Sequence, residues 1–198
     1  MKSKRIIIIL GLILCFQHNT IVAGVETMEI FDFKKLESSG RWFIVNDGVM
    51  GGVSESNVSW EPEGFLVFEG ILSLDYGGGF ASTRTWSDDW QMGGYEGIIL
   101  SVRGDGRKYQ FRCRLENTFD GISYRHSFAT VKGEWLEIVL PFDEFEPGFR
   151  GRLLPDQPKI DPTFIRQIGF MITDKQQGDF RLEVKRIGLY LKSLESLQ

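Results

Sequence analysis

Three glycine-bearing stretches gather the side chains that could bind or react. The first is Asn46-Asp47-Gly48-Val49-Met50-Gly51-Gly52, with Ser54 two residues on. Three glycines in five residues, directly after the strand-like run Trp42–Val45, specify a tight turn that needs positive φ. Two readings follow. In one, Asn46, Asp47, Gly48, Met50, Gly51, Gly52 and Ser54 form a loop that approaches a ligand or partner. In the other, the stretch is a demanding corner in which Asn46 and Asp47 bond their own backbone. A nucleotide site is excluded, because no Gly-Lys-Ser/Thr follows and the G-x-G-x-x-G spacing is absent. The second stretch is Gly77-Gly78-Gly79, which leads into a strand carrying Arg84. The third is Arg103-Gly104-Asp105-Gly106-Arg107, which joins two strands. Arg84, Arg103, Asp105 and Arg107 therefore complete the candidate binding residues.

Arginines recur downstream. Arg112 and Arg114 alternate with Phe111, Cys113 and Leu115, and Arg125 lies in Tyr124-Arg125-His126-Ser127-Phe128. On neighbouring strands they would line one sheet face, suited to anionic groups. The alternative pairs them with Glu116, Glu134 or Glu137 on adjacent strands. Catalytic equipment is sparse. Asp143, Glu144 and Glu146 crowd one aromatic turn, whereas a hydrolase needs two carboxylates facing across a cleft. His126 alternates with aromatics and has no local general-base pattern. Cys113 has the setting of a small core residue. No catalytic set, metal site or cofactor site is expected, and Asp88-Asp89 has no calcium-loop spacing.

The elements that must position these residues read as β-structure. The 198 residues are 42% hydrophobic and 13% aromatic, with 23 glycines and 6 prolines. That suffices for one packed domain. A net charge of −4 argues against nucleic acid as a partner. Strand-like runs are clearest at 64–74, 97–103, 108–115, 123–130, 135–140, 167–173 and 180–190. Weaker ones lie at 29–33, 42–45, 54–60 and 80–85. Leu136, Ile138 and Leu140 share a face, as do Ile168, Phe170 and Ile172. In 180–190, Phe180, Leu182 and Val184 share one face while Ile187 and Leu189 fall on the other, which calls for a bulge near Lys185-Arg186. Asp161-Pro162 opens one short helix. The expectation is an all-β sandwich of about ten strands, with at most one or two short helices.

Residues 1–24 read as a leader outside the fold. Lys2, Lys4 and Arg5 precede an apolar run from Ile6 to Phe16, and Val22-Ala23-Gly24 suits a signal peptidase. The expected division is a signal peptide over 1–24 and one β-sandwich over 25–198. The expected destination is the periplasm or the cell exterior, with mitochondrial targeting not indicated. Removing the leader leaves Cys113 and His126 as the sole cysteine and histidine.

Several ordered stretches resemble the complex I intermediate-associated protein family. They are Val45-Asn46-Asp47-Gly48-Val49-Met50-Gly51-Gly52-Val53-Ser54, Phe68-Glu69-Gly70-Ile71-Leu72-Ser73-Leu74, Gly78-Gly79-Phe80-Ala81-Ser82-Thr83-Arg84, Gly104-Asp105-Gly106-Arg107-Lys108-Tyr109, Trp135 to Phe142, Phe149-Arg150-Gly151-Arg152, and Ile168 to Asp174 with Gly178-Asp179-Phe180. The resemblance covers roughly residues 29–191. It implies a galactose-binding-like jelly roll without established catalytic activity. It also implies a chaperone-like, protein-binding role, with an assembly intermediate of a membrane complex as partner. A second reading, from the aromatics Trp60, Trp86, Trp90, Tyr109 and Tyr124 and the arginines, is a carbohydrate- or small-ligand-binding module.

Overall fold

In the computed structural model, which describes residues 19–22, 25–35 and 41–191, alternating apolar residues are resolved into two packed antiparallel sheets. The strands are β1 (Asn19–Val22), β2 (Val25–Asp32), β3 (Phe43–Ile44), β4 (Glu55–Glu61), β5 (Phe65–Leu72), β6 (Ala81–Trp86), β7 (Gly97–Gly104), β8 (Lys108–Arg114), β9 (Ser123–Ala129), β10 (Trp135–Pro141), β11 (Glu146–Phe149), β12 (Arg152–Leu153), β13 (Gln167–Ile172) and β14 (Gly178–Tyr190). The helical content of the described residues is a set of short 3₁₀ turns. One is Pro162–Phe164, where the Asp161 carboxylate accepts from the Thr163 amide as the sequence predicts.

The first sheet is organised by β14. One edge pairs with β5 through Gly178–Val184 and then with β2 through Arg186–Tyr190, while the other edge pairs with β7. Outer strands β4, β1 and β10 complete it. The register of β14 against β7 slips between Val184 and Arg186, where the alternation required it. The bulge returns Ile187 and Leu189 to the core beside Phe180, Leu182 and Val184, and all five are buried. The second sheet runs β12-β11-β9-β8-β13-β6-β3. Its inner face contributes Tyr109, Phe111, Cys113, Ile168, Phe170 and Ile172. Trp42 stacks on Phe170 at 6.0 Å and packs against Phe31 and Phe33, which ties the entry to β3 into the core between the sheets.

Every strand-like run of the sequence is realised. Three strands were not anticipated. In β11 the sequence Glu-Pro-Gly-Phe carries turn signals, yet Glu146, Pro147 and Gly148 pair with Arg125, Tyr124 and Ser123 of β9. The two-residue β12 completes that hairpin. Asn19–Val22 lies within the span assigned to a leader and pairs with Val25–Met28 as an edge strand. Residues 1–18, including the cationic start and the apolar run, lie outside the described residues.

Candidate functional site

The glycine-rich loop is built around one carboxylate. Asp47–Met50 forms a 3₁₀ turn that Gly51 ends at φ 91°. Asp47 is fully buried. Its Oδ1 accepts from the Ser54 amide at 2.9 Å, and its Oδ2 accepts from Ser54 Oγ at 2.5 Å, the Gly79 amide at 2.7 Å and the Phe80 amide at 3.2 Å. Burial pushes the Asp47 carboxyl pKa up. The bonds from Ser54, Gly79 and Phe80 outweigh that and hold it below its ordinary 3.8. Ser54 Oγ also accepts from the Ser73 amide at 3.0 Å. Asn46 Oδ1 accepts from Ser56 Oγ at 2.8 Å, and the backbone of 45–47 is zipped to Phe80 and Ser82.

The corner expected from the sequence is therefore present, but its bonds are not local. Asp47 joins its own turn to the Gly77–Gly79 turn 32 residues away. Both turns must be glycine where they meet it. A Cβ on Gly78 would stand 2.6 Å from Asp47 Oδ2, and one on Gly52 would overlap the same carboxylate. Asp47 and Ser54 are buried and bonded internally, which keeps both side chains from a ligand at the surface. What the loop offers outward is apolar: Val49 is 61% exposed, Met50 58% and Val53 49%, and on the partner turn Tyr76, 81% exposed, stands beside the exposed Asp75.

Arg103, Asp105 and Arg107 lie elsewhere. Arg103, on β7, bonds Glu183 and lies over the Trp135 ring at 4.9 Å. Asp105 accepts from the Arg107 amide at 3.1 Å, the Tyr109 hydroxyl at 3.0 Å and the Arg181 amide at 3.0 Å. Burial, and then the Asp105 charge and bond, push the Tyr109 hydroxyl well up. Arg107 donates to the carbonyls of Gln176 and Gln177. These are staples of the β7–β8 turn onto β14.

Arg84 occupies a third place, the outer face of the second sheet. The register sets Arg84 of β6, Gly169 of β13, Arg112 of β8 and Arg125 of β9 in one row, with Trp86, Gln167 and Arg114 in the next. The arginine face read from alternation is thus real. Among the described residues the pairing with Glu116, Glu134 or Glu137 does not occur, and the carboxylate within ion-pair distance of the row is Glu146, 3.9 Å from Arg125. Arg84 Nη1 donates to the Phe119 carbonyl at 2.9 Å and stands over that ring at 4.8 Å. Arg114 donates to the Gly121 carbonyl at 2.6 Å, and Gln167 to those of Glu116 and Thr118. Phe43 and Trp86 stack at 4.2 Å beside this face, both partly exposed. The Phe43 stack and the Gln167 clamp were missed, because only register brings them here.

The remaining candidates are accounted for by packing. Cys113 is buried and burial pushes its thiol well up, which disfavours a thiolate. His126 does have a carboxylate neighbour, Glu144, at 3.1 Å across the β9 to β11 region, and it packs on Phe145. Among the described residues no serine, threonine or cysteine side chain hydrogen-bonds that pair. Of the five aromatics considered for sugar stacking, Tyr109 and Tyr124 are buried, Trp90 packs on the core and Trp60 lies on the other sheet, which leaves Trp86.

Comparisons with known proteins place this geometry. A family model described as Complex I intermediate-associated protein 30 matches residues 31–184. The mitochondrial protein of that name from Drosophila melanogaster is 28% identical over 188 residues, covering 83% of this chain and 63% of its own length. The Mus musculus counterpart is 28% identical, covering 81% of this chain and 55% of its own. The chain thus spans little more than half to three-fifths of these relatives. A family 11 carbohydrate-binding module from Clostridium thermocellum, solved with a mixed-linked tetrasaccharide, superposes with a TM-score of 0.64 at 18% identity, covering 87% of this chain and 99% of its own. That likeness shows the shared jelly-roll fold. One expectation is overturned. Export to the periplasm or exterior, with mitochondrial targeting not indicated, conflicts with relatives that are named as mitochondrial proteins.

Proposed function

Because the chain belongs to the Complex I intermediate-associated protein 30 family, we propose that it is a non-catalytic, chaperone-like module that binds an assembly intermediate of complex I. The observation that carries the reading is the Asp47-centred staple. A buried carboxylate holds two turns together, and beside Asp75 the large side chains those turns expose are Val49, Met50, Val53 and Tyr76. Apolar side chains are costly to leave in water, and a rigid loop loses little entropy when a partner covers them. The one acid within residues 46–54, Asp47, is spent on internal bonds, which supports a contact role for the loop over acid–base work. A carbohydrate ligand is supported by the fold likeness and by one exposed tryptophan stack, a thinner basis than the family match.

Met50→Glu tests the reading. The side chain is exposed, so stability should change by no more than about 0.5 kcal/mol. Co-migration of the chain with complex I intermediates on native gels should be lost, because a charge would be buried at the contact. Retained co-migration with an unchanged melting temperature would remove the loop from the interface.

A further inference from the structure

We propose that the outer face of the second sheet is an anion site, formed by Arg84, Arg112, Arg114 and Arg125, that takes an acidic, carboxylate-bearing segment of a protein partner. Four guanidinium groups share two adjacent rows across β6, β13, β8 and β9. Among the described residues no carboxylate lies within ion-pair distance of Arg84, Arg112 or Arg114, and Arg125 has only Glu146 at the limit of 3.9 Å. Asp120, on the adjoining loop, is bonded to Arg150 at 2.6 Å, and from beyond ion-pair distance its charge offsets part of that on Arg84 and Arg114 but not that on Arg112. Elsewhere in the same chain arginines are paired: Arg103 and Arg181 with Glu183, Arg186 with Glu137. The shortage is local.

Arg112 shows the cost. It donates to Ser123 Oγ and to Met171 Sδ, both neutral and one a weak acceptor, and its Nε is buried with no partner. Burial, and then the charges of Arg114, Arg125 and Arg84, push its pKa down to about 10. Half-buried like charges are retained against their mutual repulsion only where something offsets it, and a bound carboxylate does so through charge-assisted, bidentate bonds. Each guanidinium carries five donors, and on Arg84, Arg112 and Arg114 the neutral acceptors described use one or two of them. The Phe43–Trp86 stack and Phe119 flank the rows and give the face the arginine and tryptophan composition typical of protein hot spots. Choosing a protein segment over another anion rests on the assembly-factor reading.

The test uses the whole chain and a fluorescein-labelled octaglutamate peptide, followed by anisotropy and by the Arg112 Nε–Hε NMR resonance. The peptide should bind, weaken as salt rises, and shift that resonance. Arg112→Gln should weaken binding about tenfold, the loss of one charge-assisted contact. Arg125→Gln serves as a second variant, at a side chain that is 21% exposed, and should also weaken binding while the melting temperature of each variant stays within a few degrees of the parent's. Glu146→Gln should strengthen it, because it removes the one competing carboxylate. Met50→Glu should bind as the parent chain does, so a failure of the loop contact and a failure of this site are read separately. Octaglutamate without binding overturns the proposal. So does binding that ignores Arg112→Gln and Arg125→Gln, or a preference for an oligoguluronate or inorganic phosphate at equal charge.

Discussion

Asp47→Asn is expected to destabilise the chain by about 3–5 kcal/mol, because it leaves a buried NH₂ group and the backbone N–H it faces both without acceptors, at about 1–3 kcal/mol each. The substitution is isosteric, so packing does not explain the loss. The reason is the polarity of the donors. Oδ1 accepts a backbone amide from Ser54, and Oδ2 accepts amides from Gly79 and Phe80. Whichever way the asparagine amide is turned, its NH₂ group faces an N–H donor. At about 2–4 °C per kcal/mol for a chain of this size, the melting temperature should fall by roughly 10 °C. The effect should also depend on pH. The folded-state pKa of Asp47 lies below the ordinary 3.8, so its contribution is whole above that value and is lost as pH falls through the folded pKa. The gap between parent and variant melting curves should therefore narrow in acid. A constant gap down to the acid transition would mean that Asp47 is not the group that ties the two turns.

Gly169→Ala should be comparably damaging for a different reason. Gly169 sits in the middle of β13, between Arg84 and Arg112 in register. A Cβ there would overlap the Thr83 carbonyl oxygen and stand 2.9 Å from the Arg84 Cα. Those are backbone atoms of the neighbouring strand, so no side-chain rotation relieves the clash, and β6 or β13 must move. Overpacking of this kind costs about 1–3 kcal/mol in a core and more where a ladder is broken. The loss should appear as a lower denaturation midpoint together with faster hydrogen exchange of the β6–β13 amides. A variant with unchanged exchange would show that the strands have room to part.

The architecture was readable because the alternation is strong. Even the slip from Val184 to Ile187 announced its bulge, since five apolar residues could not otherwise share one core face. What escaped was set by distance along the chain. Asp47 stood out as part of a special loop, but its partners Gly79 and Phe80 belong to another turn, and no spacing within 46–54 reports them. The arginine rows were visible as alternation, whereas the absence of carboxylate partners depended on which strands became neighbours. In β11, Pro147 and Gly148 were rightly turn-forming residues, and a three-residue pairing onto β9 overrode that tendency. The leader was read from three cations and an apolar run, and cationic starts serve more than one destination.

We propose that the Asp47-stapled turns are the surface through which this chain meets a complex I intermediate. A photo-crosslinking residue placed at position 50 tests it most directly, with position 139 as the control. Val139 is similarly exposed, at 52%, but lies on β10 of the first sheet. Crosslinks to a complex I subunit are expected from position 50 and none from position 139. Equal crosslinking from both positions, or none from position 50 in fractions that contain the intermediate, would contradict it.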